Sequence, residues 1–452
     1  MRNPGTPTRG TKLPFLLMNV LLLVALLLAA CQPAAPAAPT AAPTAAPKPA
    51  APTAAPAAPA ATAAPAAAAK TVTVKIGFQP AYTGPVAVNS ETQSQGVADY
   101  FQSVNDAGGV PYKDPKTGET INAKLEVVWE DNAYDTPRML SIYTRQKAAG
   151  VKGMVTYGTA SAVALAEAAS KDKMPFVVLG APSEAVLKPT PRYVTTMMNP
   201  YDMQTKSFLK WAKDNWKESR PPRLGIVYHD IAAGQIAISG VDEFAKKLGW
   251  EVLPKEVFTE PVTDASIQVK RLMGGKPDWV FAILTAGATA VVIKDAARLG
   301  LKDPAKWVGI TYAFDPPSYQ KVAAAETDGT MGWLYWSMET ETNQPGVAEA
   351  AAAAQKYRKT ALSNLYLQGW AVGKVFTLGG IKGALDKVGN DALTTEAVNT
   401  ALHSMKGLDT GGIFPPVNTT DDEPFVISKA RLVQWKDGKI NVLTDWQVGA
   451  LR

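Results

Sequence analysis

The chain is poor in the side chains that most enzymes use. Its 452 residues include one cysteine, Cys31, and two histidines, His229 and His403. One cysteine closes no intramolecular disulfide and builds no thiolate cluster. Two histidines do not supply a multi-histidine metal site. No predicted strand end carries G-x-G-x-x-G or G-x-x-x-x-G-K-[ST], so nucleotide chemistry has no support. "GTASA" and "APSEA" both lack the G-x-S-x-G pattern of a serine nucleophile. His229 follows a predicted strand and stands beside Asp230, where a lone histidine reads as a polar loop or hinge residue. His403 lies in the helical "NTALHSMKG" and reads as surface or packing. No catalytic residue, metal or cofactor is expected, and a hydrolase on an α/β scaffold is the least favoured reading.

What the predicted strand ends do carry is hydroxyl and aromatic groups: Tyr82, Thr83, Tyr157, Thr159, Ser161, Ser183, Tyr228, Thr285, Thr311, Tyr312 and Phe314. Glycine and alanine lie among them and leave backbone N–H groups accessible. Hydroxyls and N–H groups at helix N-termini can hold a carboxylate without burying a full counter-charge. Each residue alone is equally well explained as a helix cap. The recurrence at successive strand ends gives the set its weight.

The elements that must position these residues follow from periodicity. "TVTVKIGFQP", "AKLEVVWED", "KGMVTYG" and "MPFVVLGAP" read as strands, separated by the helical "SETQSQGVADYFQSVNDAGGV", "TPRMLSIYTRQKAAG" and "SAVALAEAASKDK". After "RYVTTMMNP" the alternation restarts. "RLGIVYHD", "EVLPKEVF", "PDWVFAILT" and "KWVGITYAF" read as strands; "DMQTKSFLKWAKDNW", "GQIAISGVDEFAKKLGW", "DASIQVKRLMGG" and "ATAVVIKDAARLGL" read as helices. Two such sets predict an α/β fold of two Rossmann-like lobes with doubly wound parallel sheets. Ligands in open α/β sheets sit beyond the carboxyl ends of the strands, where the polar set lies.

The N-terminus differs in kind. Arg2, Arg9 and Lys12 precede the apolar run "FLLMNVLLLVALLL", which is short for a membrane span and suited to a signal-peptide core. "Leu28-Ala29-Ala30-Cys31" resembles the bacterial lipobox, in which the cysteine is lipidated after cleavage. An uncleaved anchor helix is the alternative. Residues 1–30 are thus expected to be a lipoprotein signal peptide, and 31–69 a lipidated Cys31 followed by an Ala/Pro-rich disordered linker. The body is placed outside the cytoplasm, in the periplasm or on the outer face of the cell membrane, tethered through the lipid. Removing the four basic residues before position 70 from the formal charge leaves 42 basic against 40 acidic residues. No concentrated basic character remains for nucleic acid.

Several stretches resemble a known family. "VKIGFQPAYTGPVA", "VNDAGGV", "VVWEDNAYDTPRML", "KDAARLGL" and "DGTMGWLYW" occur in the order found in branched-chain amino-acid type ABC-transporter substrate-binding proteins, which are type I periplasmic binding proteins. The resemblance spans residues 72–447. It implies two lobes joined by a three-strand hinge: 72–197 plus 338–425 for lobe 1, and 200–335 plus 428–452 for lobe 2. It implies crossings near Thr195–Pro200, Leu334–Met338 and Pro424–Ser428. The family's carboxylate-binding loops match Gly158-Thr159-Ala160-Ser161 and Gly180-Ala181-Pro182-Ser183. The lobe 2 aromatic that covers the ligand falls at Thr285, and the acid that pairs with its ammonium falls at Thr311, with Asp315 nearby. Both departures tell against an α-amino acid, because a buried ammonium without an anionic partner is costly. Tyr82, Tyr312, Phe314 and Trp370 are candidates to cover an apolar or aromatic body. The resemblance therefore implies a receptor that delivers a small organic acid, aromatic ones included, to an ABC permease and its ATPase subunits. An amino acid is the runner-up ligand, and presentation of ligand to a signalling partner is the alternative role.

Overall fold

The structure, a computed structural model, describes residues 70–181, 186, 192–427 and 429–448. The signal-like segment, Cys31, the Ala/Pro tract and Ser183 lie outside the described residues, as does the side chain of Thr311.

Within the body, the β-branched runs assemble into two sheets. The first contains β1 (Thr71–Gln79), β2 (Val110–Lys113), β3 (Thr120–Trp129), β4 (Met154–Tyr157), β5 (Phe176–Leu179), β6 (Val194–Met198) and β13 (Phe425–Ile427), in the order β13-β6-β5-β4-β1-β3-β2. All its pairings are parallel except β2 with β3. The C-terminal half of β1 is buried on both faces, as a parallel strand sandwiched by helices must be. The second sheet runs β15-β14-β12-β11-β10-β7-β8, with β9 on β7 and β16 on β14. Its strands are β7 (Arg223–His229), β8 (Glu251–Val252), β9 (Glu256–Phe258), β10 (Trp279–Ile283), β11 (Lys306–Ile310), β12 (Met331–Leu334), β14 (Lys429–Lys436), β15 (Lys439–Val442) and β16 (Gln447–Val448). The chain leaves the first sheet after Met198, leaves the second after Leu334, and passes from β13 to β14 across residue 428.

Seven helices matter to the cleft: α1 (Ala87–Asp106), α2 (Thr136–Ala148), α3 (Thr159–Asp172), α4 (Tyr201–Asp214), α5 (Ala286–Arg298), α6 (Pro316–Ala323) and α7 (Asn364–Lys374). Phe78 on β1 meets Phe101 of α1 edge to face at 6.0 Å. In the second lobe Phe208 of α4 stacks on Phe281 of β10 at 4.8 Å. Each pair locks a helix onto its sheet beside the strand ends.

Three segments differ from the periodicity reading. "GQIAISGVDEFAKKLGW" is two short helices, Ala232–Ala237 and Val241–Lys247, because Gly240 turns left-handed between them at φ 66. "EVLPKEVF" is split into β8 and β9, with Pro254, which has no N–H to donate, in the gap. "KWVGITYAF" leaves the sheet at Ile310 and coils into the 3₁₀ turn Thr311–Ala313, which swings Tyr312 toward the other lobe. Phe314 and Trp370 are core residues rather than ligand covers: Phe314 packs on Tyr319, and Trp370 lies between Tyr100 and Tyr366.

Candidate ligand site between the lobes

The carboxyl ends of the two sheets face a partly open cleft whose space between atoms, open solvent included, is about 510 Å³. Lobe 1 lines it with Val86, Asn89 and Gln93 from α1 and its approach, Tyr134, the Tyr157–Thr159 turn, Leu179, Gly180, and Gln368 of α7. From the end of β6, the start of α4 and the loops after the strands of the second sheet come Met198, Tyr201, His229, Ile231, Ala233, Thr285 and Tyr312.

The loop after β3 is built by two side chains of the "EDNAYD" stretch. Asp131 accepts the N–H groups of Tyr82 (2.9 Å) and Ala133 (3.0 Å) and the hydroxyl of Thr83 (2.6 Å). Burial pushes the Asp131 carboxyl up, but these hydrogen bonds outweigh it and hold it below the usual range. Asn132 is fully buried; its amide donates to the carbonyls of Gln79 and Tyr157, and its oxygen accepts the Tyr134 N–H at 2.8 Å. Tyr134 is thereby held at φ 56, a left-handed conformation unusual for an aromatic residue. Its ring covers Gly158, where a Cβ would sit 2.3 Å from Tyr134 Cε2. Gly158 itself has φ 93 and ψ 152, a region essentially reserved for glycine.

Four phenols, those of Tyr134, Tyr157, Tyr201 and Tyr312, face this space. Burial pushes the Tyr134 phenol up to about 12, with the Ala160 N–H favouring its ionised form. Burial and the neighbouring Tyr134 raise Tyr201, while the Thr159 hydroxyl and Ala181 N–H work the other way. Burial raises Tyr157 and Tyr312 far more. All four therefore stay protonated and act as neutral O–H groups across the physiological range. Thr159 Oγ1 lies beside Tyr201 without making a well-formed hydrogen bond, at the N-terminus of α3.

The remaining polar wall is made of amides and one imidazole. Gln93 Nε2 donates to Gln368 Oε1 at 2.7 Å, and α1 and α7 approach so closely there that a Cβ on Gly369 would fall 1.8 Å from the Gln93 carbonyl. Asn89 Nδ2 donates across the cleft to the main-chain oxygen of Tyr312 at 3.2 Å. His229 is buried and stacks on Tyr312, with Nε2 3.1 Å from the phenol oxygen. On its other side Nδ1 lies 3.7 Å from Glu260 Oε1, which accepts the Thr285 N–H. Among the described residues, no Asp, Glu, Lys or Arg lines the cavity.

Of the residues singled out from sequence, Tyr157, Gly158, Thr159, Gly180, Thr285 and Tyr312 line this space. Thr285 also caps α5 by accepting the Ala288 N–H. The Ala160 and Ala181 N–H groups lie beside the Tyr134 and Tyr201 phenols. Ser161 turns its hydroxyl back onto the Tyr157 carbonyl at 2.6 Å and is buried away from the cavity. Tyr82 packs on Trp129, and it and Thr83 serve to tie their loop to Asp131. Tyr228 is half-buried outside the lining. Asp315 caps α6 by accepting both the N–H and hydroxyl of Ser318, and burial pushes its carboxyl up. It is not among the residues that line the cavity. Sequence reasoning missed Asn89, Gln93, Tyr134, Tyr201 and Gln368, and it read His229 as a hinge residue. The available signal was polarity on faces that periodicity marks as buried, as with Asn89 and Gln93 in α1 and Gln368 in "YLQGW".

Comparison with known proteins agrees with this architecture. The profile of the periplasmic binding protein family matches residues 73–439. The Leu/Ile/Val-binding protein homolog 7 of Brucella suis biovar 1 (strain 1330) is 24% identical over 383 residues, covering 81% of this chain and 90% of that protein. Among solved structures, a branched chain amino acid ABC transporter protein of Thermus thermophilus with bound valine superposes with a TM-score of 0.73 at 19% identity, over 84% of this chain and 97% of its own. A solute binding protein of an ABC transporter from Rhodopseudomonas palustris BisB5, in complex with 3,4-dihydroxy benzoic acid, gives 0.68 at 19% identity, over 84% and 98%. The two-lobed α/β fold expected from sequence is borne out. So is the expectation of an extracytoplasmic binding protein rather than an enzyme, since binding is the family's work. From its matched length and its fold, the chain belongs to the periplasmic binding protein family.

Proposed function

We propose that the protein is the solute receptor of an ABC importer and captures a small carboxylic acid with an apolar or aromatic body. The observation that carries this reading is the character of the cavity. It offers neutral phenol, hydroxyl and amide groups at a helix N-terminus, interleaved with Val86, Leu179, Met198 and Ile231, and no charged side chain among the described residues. Such a site holds a carboxylate by hydrogen bonds and helix-end partial charge. An ammonium would go without an anionic contact. The ligands named for the similar structures, valine and 3,4-dihydroxy benzoic acid, both carry a carboxyl group, which supports the reading. Capture would work by closure, since ligand contacts in both lobes favour the closed form by their differential affinity for it. A permease and its ATPase subunits would receive the closed receptor. Cys31 would carry the lipid anchor, with 32–69 as the spacer to the body, and the lobes would divide as 72–197 plus 338–425 and 200–335 plus 428–452.

The test is a thermal-shift and calorimetric series on the full-length protein in detergent, with benzoate, 4-methylpentanoate and leucine. Ligand at a hundredfold excess over Kd adds about 2.7 kcal/mol. For a body of this size, that is a rise of about 3 °C. Acids without an amine are expected to produce it. A strong response to leucine with none to the acids refutes the proposal.

A further inference from the structure

Resting on the reading of this cavity as an acid site, we propose that it also reads a hydroxyl group on its ligand, through the side-chain carbonyl of Asn89, and that lobe closure sets that carbonyl in place. Asn89 is 2% exposed and lines the cavity. Its Nδ2 donates to the main-chain oxygen of Tyr312 in the opposite lobe. A carbonyl oxygen only accepts, so this contact fixes which way the amide is turned. Asn89 Oδ1 is then left buried with no hydrogen-bond partner among the described residues. An acceptor stranded in that way is costly unless something supplies a donor.

The surroundings define that donor. With its proton on Nδ1, facing Glu260, the His229 ring accepts the Tyr312 hydroxyl at Nε2. The phenol oxygen of Tyr312 is then a second acceptor in the same wall. Gln368 Nε2, also buried without a partner among the described residues, is a donor lining the same cavity. A hydroxyl suits this combination because it donates one hydrogen bond and accepts another. An ammonium does not, because no carboxylate lines the cavity among the described residues, and Glu260 stands behind His229. The inferred ligand is therefore a hydroxylated acid: carboxylate toward the donors at the N-terminus of α3, hydroxyl toward Asn89.

Closure enters because Asn89 belongs to α1 of lobe 1 and Tyr312 to lobe 2. With the lobes apart, Nδ2 loses the Tyr312 carbonyl and the amide can turn over. Discrimination for the hydroxyl should thus reside in the dissociation rate of the closed complex, not in the encounter.

The experiment uses the full-length protein in detergent and compares acids in pairs: benzoate with 3- and 4-hydroxybenzoate, and 4-methylpentanoate with 2-hydroxy-4-methylpentanoate. In the wild type, the hydroxylated member of at least one pair should bind about tenfold or more tightly. Stopped-flow traces should place the difference in koff. Asn89→Leu should bring that pair within about threefold, the hydroxylated member losing more than the plain acid, although both weaken with loss of the Asn89–Tyr312 contact. Equal wild-type affinities in both sets, with plain acids bound, overturn this inference and leave the proposed acid receptor standing. A preference residing in kon overturns the closure step. Failure of every acid to bind removes both. The wild-type comparison decides the matter even if the variant does not fold.

Discussion

Gly158→Ala should damage both the stability of the body and its affinity for ligand, for a reason visible at atomic scale. The new Cβ would lie 2.3 Å from Cε2 and 2.9 Å from Cδ2 of Tyr134. That ring cannot slide aside cheaply, because Asn132 holds its backbone and Tyr134 already occupies a left-handed conformation. The backbone term at φ 93 and ψ 152 costs about 1–3 kcal/mol for a residue with a side chain. Overpacking against the ring adds about 1–3 kcal/mol. With about 2.1 cal/mol/K of unfolding entropy per residue over roughly 380 residues, the combined loss lowers Tm by about 3–8 °C. Moving Tyr134 off the Ala160 N–H also spoils the cavity, so affinity should fall about 10–100-fold. The control is Gly150→Ala, at φ 78 with nothing within 4 Å of the added Cβ. It should cost about 1–2 kcal/mol, or about 1–3 °C, and leave affinity alone. Differential scanning calorimetry and titration calorimetry measure both quantities. If Gly158→Ala melts like the control and binds like wild type, Tyr134 is not held over Gly158 as described.

Two further predictions concern Glu339 and Cys31. Glu339, on the segment following β12, has a buried Oε2 with no hydrogen-bond partner among the described residues. Its carboxyl is pushed up to about 7 by burial, its own N–H opposing and Asp315 and Glu341 adding to the rise. A carboxyl raised in the folded state contributes stability that is fully present below its unfolded pKa near 4.5. That stability is lost as pH rises through 7. Glu339→Gln should remove that decline, gaining on the order of 2 kcal/mol at pH 8, and thermal melts from pH 5 to 8 that stay parallel to wild type would contradict it. Cys31→Ser should shift the protein from the membrane to the soluble fraction on cell fractionation, with unchanged affinity for ligand. A loss of affinity would show that Cys31 serves the binding body.

Much of the fold was legible because its elements are set by local patterns. The run of β1 and the helical spacing of Val97, Tyr100, Phe101 and Val104 need only burial on a sheet to become what they are. Mistakes arose where one residue breaks a pattern. Gly240 divides a helix, Pro254 divides a strand, and the turn at Thr311–Ala313 ends β11 early. Each break is a backbone property that apolar periodicity averages away. The site was less legible. Ser161 and Asp315 have the chemistry of ligand groups, yet helix-internal bonding and capping use their polar atoms. Asn89, Gln93 and Gln368 looked like ordinary helix residues, since nothing local shows that a second lobe lies opposite.

Composition and order along the chain were sufficient to exclude thiolate, multi-histidine and nucleotide chemistry and to foresee two α/β lobes. Short-range forces decide those features: burial of apolar runs, the limits on φ at glycine and proline, and the supply of reactive side chains. Which polar atoms remain unpaired inside the cleft depends instead on contacts between residues hundreds of positions apart. Asn89 and Tyr312 are separated by 223 residues and Gln93 and Gln368 by 275. The first forms only when the two lobes meet, and the second only when the returning segment packs α7 against α1. The tertiary structure alone therefore decides which donors and acceptors are left for the ligand.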